Sequence, residues 1–319
     1  MIEGSLDNLQ YSSTNASRSL YPSIAVELAQ EGVLAGSRNP DTGSLTYAFA
    51  DISEGDLVPA FAESNVRNSD AITAALRAAI LQVSPRRDPV TIIVPDSAAR
   101  VFIVSFDTLP ANRADITSLL RYRLRKLLPV EGDNTTIGFQ ILTPPKEKGE
   151  ERPAGIRVLA VLMPSTVVAD YENAVRAAGY QPGALLPSSI ASLAAFDSGD
   201  GAVMVNINKL GMTTCIGKGD DLLLYRSVEL PPDRDGRQQE FERTLAISHA
   251  WFEDHLGALP QRFCYLGSVS RREPPSIMQG DCISGFLARM EDALPRYLGF
   301  AALAGALGAK AGETGSPVC

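Results

Sequence analysis

Residues 23–50 read SIAVELAQEGVLAGSRNPDTGSLTYAFA, and residues 202–228 read AVMVNINKLGMTTCIGKGDDLLLYRSV. The two stretches share one plan. In the first, Ser23 to Leu28, Val33 to Ser37 and Ser44 to Ala50 have the β-branched and alternating character of strands. Turns separate them at Gln30-Glu31-Gly32 and at Asn39-Pro40-Asp41-Thr42-Gly43, where proline and glycine favour reversal of the chain. In the second, Ala202 to Ile207, Met212 to Ile216 and Asp221 to Val228 repeat the pattern. Each meander is followed by a helix and a further strand. A chain that lays down the same supersecondary unit twice reads as an α/β protein of two lobes with a cleft between them. The small, acidic turn Asp197 to Gly201 marks the boundary.

The segments between the meanders fill in the lobes. Asp70 is expected to cap a helix through Leu81, with Ile72, Leu76 and Ile80 at helical spacing. Val90 to Val94 is a continuous apolar run, as in a strand covered on both faces. Arg100 to Phe106, Ile137 to Leu142 and Ile156 to Met163 are further strands. Helices are expected from Asn112 to Leu128, Ser165 to Ala178, Ser188 to Phe196 and Gln238 to Leu256, then near Phe286 to Leu294 and from Tyr297 to Ala309. Arg262 to Leu266 is a strand, and Pro144 to Pro153 a solvated loop. Trp251 falls among Leu245, Phe252 and Leu256 at helical spacing, which makes it a core residue.

Composition excludes several functional classes. Of 319 residues, 45% are hydrophobic, enough for a real core, and 29 basic against 37 acidic side chains give a net charge of −8. That balance argues against nucleic acid or anionic lipid as general partners, since both require clustered cations. Cys215, Cys264, Cys282 and Cys319 show no CxxC pair, and His249 and His255 lie six apart, so no metal site is expected. Met1 to Leu20 has neither a basic nor an apolar region of a signal peptide, and the apolar run at 297–309 is too short to span a bilayer. A cytoplasmic protein without direct membrane insertion is expected. No phosphate loop, nucleophile elbow or paired carboxylate stands out, so no catalytic residue is assigned.

Several segments together resemble the PilM family of pilus-assembly proteins, relatives of actin. From Val90 to Leu142 come a strand ending in Val94-Pro95, a strand ending Phe106-Asp107-Thr108-Leu109-Pro110, a helix running into Leu128-Pro129 with Tyr122 inside it, and a strand ending Gln140-Ile141-Leu142. The strand ending in Pro164, the helix ending Ala177-Ala178-Gly179-Tyr180-Gln181-Pro182, and the small-residue segment Gly299 to Gly308 continue the match. The resemblance covers roughly residues 22–309. It implies a two-lobed actin-like, ribonuclease H-like fold with an inserted small subdomain. The expected division is a disordered leader over 1–20, a first lobe over 21–99 and 180–198, the inserted subdomain over 100–179, a second lobe over 199–309 and a tail over 310–319.

The resemblance also implies a nucleotide site between the lobes and a docking surface for a partner. In the family, ATP is held by two β-turns of approximate form Gly-x-Asp-x-Gly and Asp-x-Gly, and by a glycine-rich adenosine segment. Glycines there let backbone N–H groups approach phosphate. This chain has Ala25-Val26-Glu27-Leu28-Ala29, Asn206-Ile207-Asn208 and Leu266-Gly267-Ser268 at those places. Glu27, Ala29, Asn206, Asn208, Gly267 and Ser268 therefore form a degenerate nucleotide site: ATP or ADP with magnesium would bind weakly, and no cofactor is required. The basic helix carrying Arg121, Tyr122, Arg123, Arg125 and Lys126 lies where family members take partners, with Leu120, Leu124, Leu127 and Leu128 as its apolar face. It reads either as a solvated face or as a surface, through Arg121, Tyr122 and Arg125, for the cytoplasmic N-terminal peptide of a PilN-like single-pass inner-membrane protein; direct membrane contact is disfavoured by the acidic surroundings. Pilus motor or platform proteins are further expected partners. The function implied is a cytoplasmic adaptor in type IV pilus assembly, peripheral to the inner membrane through its partner. An active actin-like or sugar-kinase-like ATPase and a cytoplasmic domain of a type II secretion component are the alternatives.

Overall fold

A computed structural model describes residues 23–39, 42–84, 86, 88–128, 134–142, 155–195, 198–208, 210–258, 260, 263–266 and 300–308. Among them run β1 (Ile24–Ala29), β2 (Gly32–Arg38), β3 (Leu45–Asp51), α1 (Ser69–Val83), β4 (Val90–Val94), β5 (Arg100–Phe106), α2 (Arg113–Leu124), β6 (Thr135–Leu142), β7 (Ile156–Pro164), α3 (Ser165–Ala177), β8 (Pro182–Pro187) and α4 (Ser188–Leu193). There follow β9 (Ala202–Ile207), β10 (Gly211–Lys218), β11 (Asp221–Glu229), α5 (Arg234–Leu256), β12 (Phe263–Leu266) and α6 (Phe300–Ala306). The expected leader, the loop at 144–153, the helix near 286–294 and the tail lie outside the described residues, as do Gly267 and Ser268.

The first meander opens a five-stranded sheet of order β3-β2-β1-β4-β8, antiparallel through β1 and parallel from β1 to β8. All five residues of β4 are buried, as its unbroken apolar run requires of a strand with helices on both faces. On one face Ile24, Val26 and Leu28 pack with Ile72, Leu76 and Ile80 of α1 and with Val167, Tyr171 and Val175 of α3. On the other, Ala25, Leu34 and Ile93 meet Ala191 of α4 and Leu303 and Leu307 of the α6 segment. The second meander gives a four-stranded sheet, β11-β10-β9-β12, with α5 laid across it through Phe241, Leu245 and Phe252. Strands β5, β7 and β6 form a separate antiparallel sheet covered by Ile116, Leu120 and Leu124 of α2.

Several expectations shift. Asn68 caps α1, its side chain accepting from the Ala71 N–H at 3.2 Å, and Asp70 sits in the first turn, where its charge suits the helix dipole. The α-helix expected to reach Leu128 ends at Leu124 and tightens into a 3₁₀ turn over Arg125–Leu127. That turn swings Leu127 outward: it is 61% exposed, against the expected apolar face. Strand β8 was not expected, because Pro182 and Pro187 bracket it; it pairs with β4 on one side and forms a sheet edge, where proline is tolerated. Helix α6, expected within the second lobe, packs on the first sheet, and α3, expected within the inserted subdomain, fills the core beneath α1. No helix among the described residues is long and apolar enough to cross a membrane.

The cleft between the sheets as candidate functional site

The carboxyl ends of β1, β4 and β8 point toward the turn between β9 and β10. In an open α/β sheet such ends are where functional groups gather. Side chains alternate along β1, which puts Glu27 on the same face as Ala25 and Ala29. Glu27 is buried and accepts from the Ser188 hydroxyl at 3.0 Å. Ala29 packs with the cluster that seats α6 and closes the β1–β2 turn opposite Gly32. A Cβ at Gly32 would run into the Ala50 carbonyl and the Phe49 ring, so this glycine is fixed by packing against β3.

Asp96 follows directly on β4, in a short 3₁₀ turn over Asp96–Ala98. It is 7% exposed. One carboxylate oxygen accepts from the Ser189 N–H and the Ser189 hydroxyl, both at 2.9 Å. The other accepts from Asn206 Nδ2 at 3.0 Å and from the Thr213 hydroxyl at 2.8 Å. Ser189 has one proton and gives it to Asp96, so the Tyr225 hydroxyl, 2.7 Å away, donates to Ser189. Burial raises the Asp96 pKa above its ordinary value, while these four hydrogen bonds pull it back toward the charged form. Tyr225 and Cys215, buried alongside, are both pushed well above their ordinary values, first by burial and then by the Asp96 charge.

Asn208 stands at the β9–β10 turn. Its side-chain oxygen accepts from the N–H groups of Leu210 and Gly211 at 2.8 and 2.9 Å, a local closure of the kind asparagine often makes. Those two N–H groups are turned into the loop. Beyond the turn opens a cleft of about 420 Å³, lined by Asp96, Arg100, Asn208, Ser227, Glu240 and Arg243. Arg243 pairs with Glu240 through two bonds of 3.0 and 2.7 Å, which lowers the Glu240 pKa. Among the described residues no cluster of three or more metal-ligating side chains occurs.

The structure thus gathers Glu27, Asn206 and Asn208 at one seam, with Ala29 turned into the adjoining core. Asp96, Ser188, Ser189, Thr213 and Tyr225 complete the seam, and sequence reasoning passed over them. A usable signal existed for Asp96: a charge two residues beyond a buried, largely apolar strand, at the end of the sheet where sites form.

The three residues expected at a partner surface divide. Arg121 turns inward and donates to the Thr135 carbonyl at 3.0 Å, tying α2 to β6. Tyr122 is 66% exposed, with the Arg125 guanidinium 4.7 Å over its ring. Leu127 and Ile141 are also exposed. Strand β6 pairs with β7 on one side and forms an edge of its sheet.

No protein-family model matches the chain, and no curated protein matches it. Among solved structures it is similar to the PilM–PilN type IV pilus biogenesis complex, with a TM-score of 0.64 and 16% identity over 86% of each chain. It also resembles the cytoplasmic domain of EpsL, an inner membrane component of the type II secretion system of Vibrio cholerae, with a TM-score of 0.49 and 11% identity over 87% of this chain and 97% of that one. A Bacteroides thetaiotaomicron protein with an actin-like ATPase fold gives a TM-score of 0.48 and 10% identity over 82% of this chain and 88% of that one. The first likeness, at that identity, is one of fold: the chain has the mixed α/β, actin-like fold.

Proposed function

We propose that this chain is a PilM-like adaptor of type IV pilus assembly that holds an extended cytoplasmic segment of a PilN-like inner-membrane protein. The observation that carries the proposal is the shared fold with the PilM–PilN complex over 86% of both chains. The inserted sheet supplies suitable chemistry. An extended peptide needs an edge or groove, an aromatic to pack on and a few polar anchors. Edge strand β6, exposed Tyr122 with Arg125 above it, and exposed Leu127 and Ile141 offer those on one small subdomain. Such an adaptor would sit at the inner membrane through its partner, within reach of pilus motor and platform proteins.

The nucleotide site is proposed to be degenerate, with no cofactor required and at most weak binding of ATP or ADP with magnesium. Four donors meet the Asp96 carboxylate, which leaves its oxygens engaged within the protein. Asn208 takes up the two turn N–H groups that a phosphate would need. Asn206 adds no charge for a metal.

Fluorescence anisotropy with labelled N-terminal peptides of the single-pass proteins encoded beside this chain tests the adaptor role. Micromolar binding by one peptide is expected, weakened about tenfold or more in Tyr122→Ala with an unchanged far-UV circular dichroism spectrum. Failure of every peptide, together with steady turnover of Mg-ATP, would overturn the proposal in favour of an active ATPase.

A further inference from the structure

The bonds around Asp96 cross from one lobe to the other. Asp96 stands in the 3₁₀ turn after β4 and Ser189 in the first turn of α4, just after β8, both in the first lobe; Asn206, Thr213 and Tyr225 belong to β9, β10 and β11 in the second sheet. A buried carboxylate is costly unless donors surround it, and here half of its donors come from each side. We infer that Asp96 is a built-in tie between the two sheets, its two carboxyl oxygens acting as the shared acceptors that keep the cleft closed independently of any ligand. The arrangement is stringent in both directions. Without the carboxylate, the Ser189 N–H and the Asn206 amide lose their acceptor across the seam, while the two hydroxyls are left to the Tyr225 and Ser227 oxygens beside them. Asn206 and Thr213 are 4% and 1% exposed and Ser189 is fully buried, so in the parent protein these groups depend on the carboxylate rather than on bulk water.

Nearby contacts add to the tie without supplying its acceptor: the Tyr225 hydroxyl reaches Ser189 across the seam at 2.7 Å. Arg100 pairs with Glu229 at 3.3 Å across the same seam, but the Glu229 side chain is open to water and such pairs hold little. Ser188 and Glu27 lie within the first lobe. The apolar part of the seam, where Leu159 of the inserted sheet and Ile190 and Leu193 of α4 pack around Met204, Cys215 and Leu222, also holds the second sheet but includes no residue of β4. Asp96 also lines the 420 Å³ cleft, so removal of its carboxylate opens a small four-donor space next to solvent. A free carboxylate of matching size can enter that space.

Hydrogen exchange read by mass spectrometry on the full chain tests the tie. In Asp96→Ala, exchange is expected to rise at least tenfold together at 188–193 and at 202–216, with α1 and the middle of α5 unchanged. Formate at tens of millimolar is expected to restore protection in this variant and to do nothing to the parent protein. Arg100→Ala, which removes the exposed pair on the same seam, is expected to leave both segments as they were. Unchanged exchange in Asp96→Ala, or a rise confined to 188–193, would overturn the inference. If Asp96→Ala yields no folded protein, Thr213→Val is read in the same way: faster exchange on both sides supports the tie, and none refutes it.

Discussion

Asp96 shows what one residue can do once the fold has surrounded it. Burial raises its pKa, so the folded state holds a proton more tightly than the unfolded chain. The sign follows from linkage: the contribution is complete below the ordinary carboxyl value of about 3.9 and is lost as pH rises through the higher folded value. Tyr225 and Cys215, which face Asp96 from β11 and β10, are raised well above their ordinary values and stay neutral there. Glu27, one residue along through Ser188, is common to parent and variant. Urea unfolding of the parent protein and of Asp96→Asn between pH 4 and 7 is therefore expected to diverge, with the parent losing stability relative to the variant as pH rises. Parallel curves would contradict it. At the residue level only the place of Asp96 just beyond β4 was legible, not the partners it meets. Ser189 lies 93 residues from Asp96 and Asn206 lies 110 away, so nothing local announces that they meet. Glu27 and Asn206 were singled out only through the family resemblance, which aligns them with the turns of its nucleotide site.

At the scale of elements, periodicity carried most of the reading. Strand β4 was recognisable as central because four of its five residues are apolar and β-branched, with Thr91 the exception, and α1 because Ile72, Leu76 and Ile80 recur at helical spacing. Strand β8 escaped because proline signals a turn unless a one-sided sheet edge is there to receive it. Helix α6 was legible as a helix but not as to what it covers. Its small residues let it approach α4 closely: a Cβ at Gly305 would collide with the Ala191 carbonyl, a backbone atom that cannot step aside. Gly305→Ala is accordingly expected to cost about 1–3 kcal/mol of stability, as for overpacking elsewhere. A denaturant titration checks this, and a variant as stable as the parent would mean that α6 sits less tightly than it does here. The basic run on α2 divides in the same way. Spacing gave the helix, but the 3₁₀ turn after Leu124 decided that Leu127 faces outward.

At the scale of the whole molecule, the inserted sheet bridges the lobes. Its β7 residue Arg157 donates to the Leu222 and Leu223 carbonyls of β11, both at 2.8 Å, and burial lowers its pKa against the pull of Asp221. Arg157→Ala is expected to cost about 1–2 kcal/mol, because two carbonyls lose a charged donor at a half-covered position. The loss should appear as a lower thermal midpoint, with α2 and β6 still folded by hydrogen exchange; a midpoint equal to the parent's would show the bridge to be idle. The sequence by itself determined the two meanders and most of the succession of helices and strands, because each depends on spacing within a short window of chain. Tertiary structure alone decided that α6 and α3 serve the first sheet, that Arg121 turns inward while Tyr122 stays exposed, and that Asp96 gathers donors from both lobes. Those outcomes depend on which buried surfaces and hydrogen-bonding groups meet across a hundred residues or more, and pairing of that kind leaves no period in the sequence.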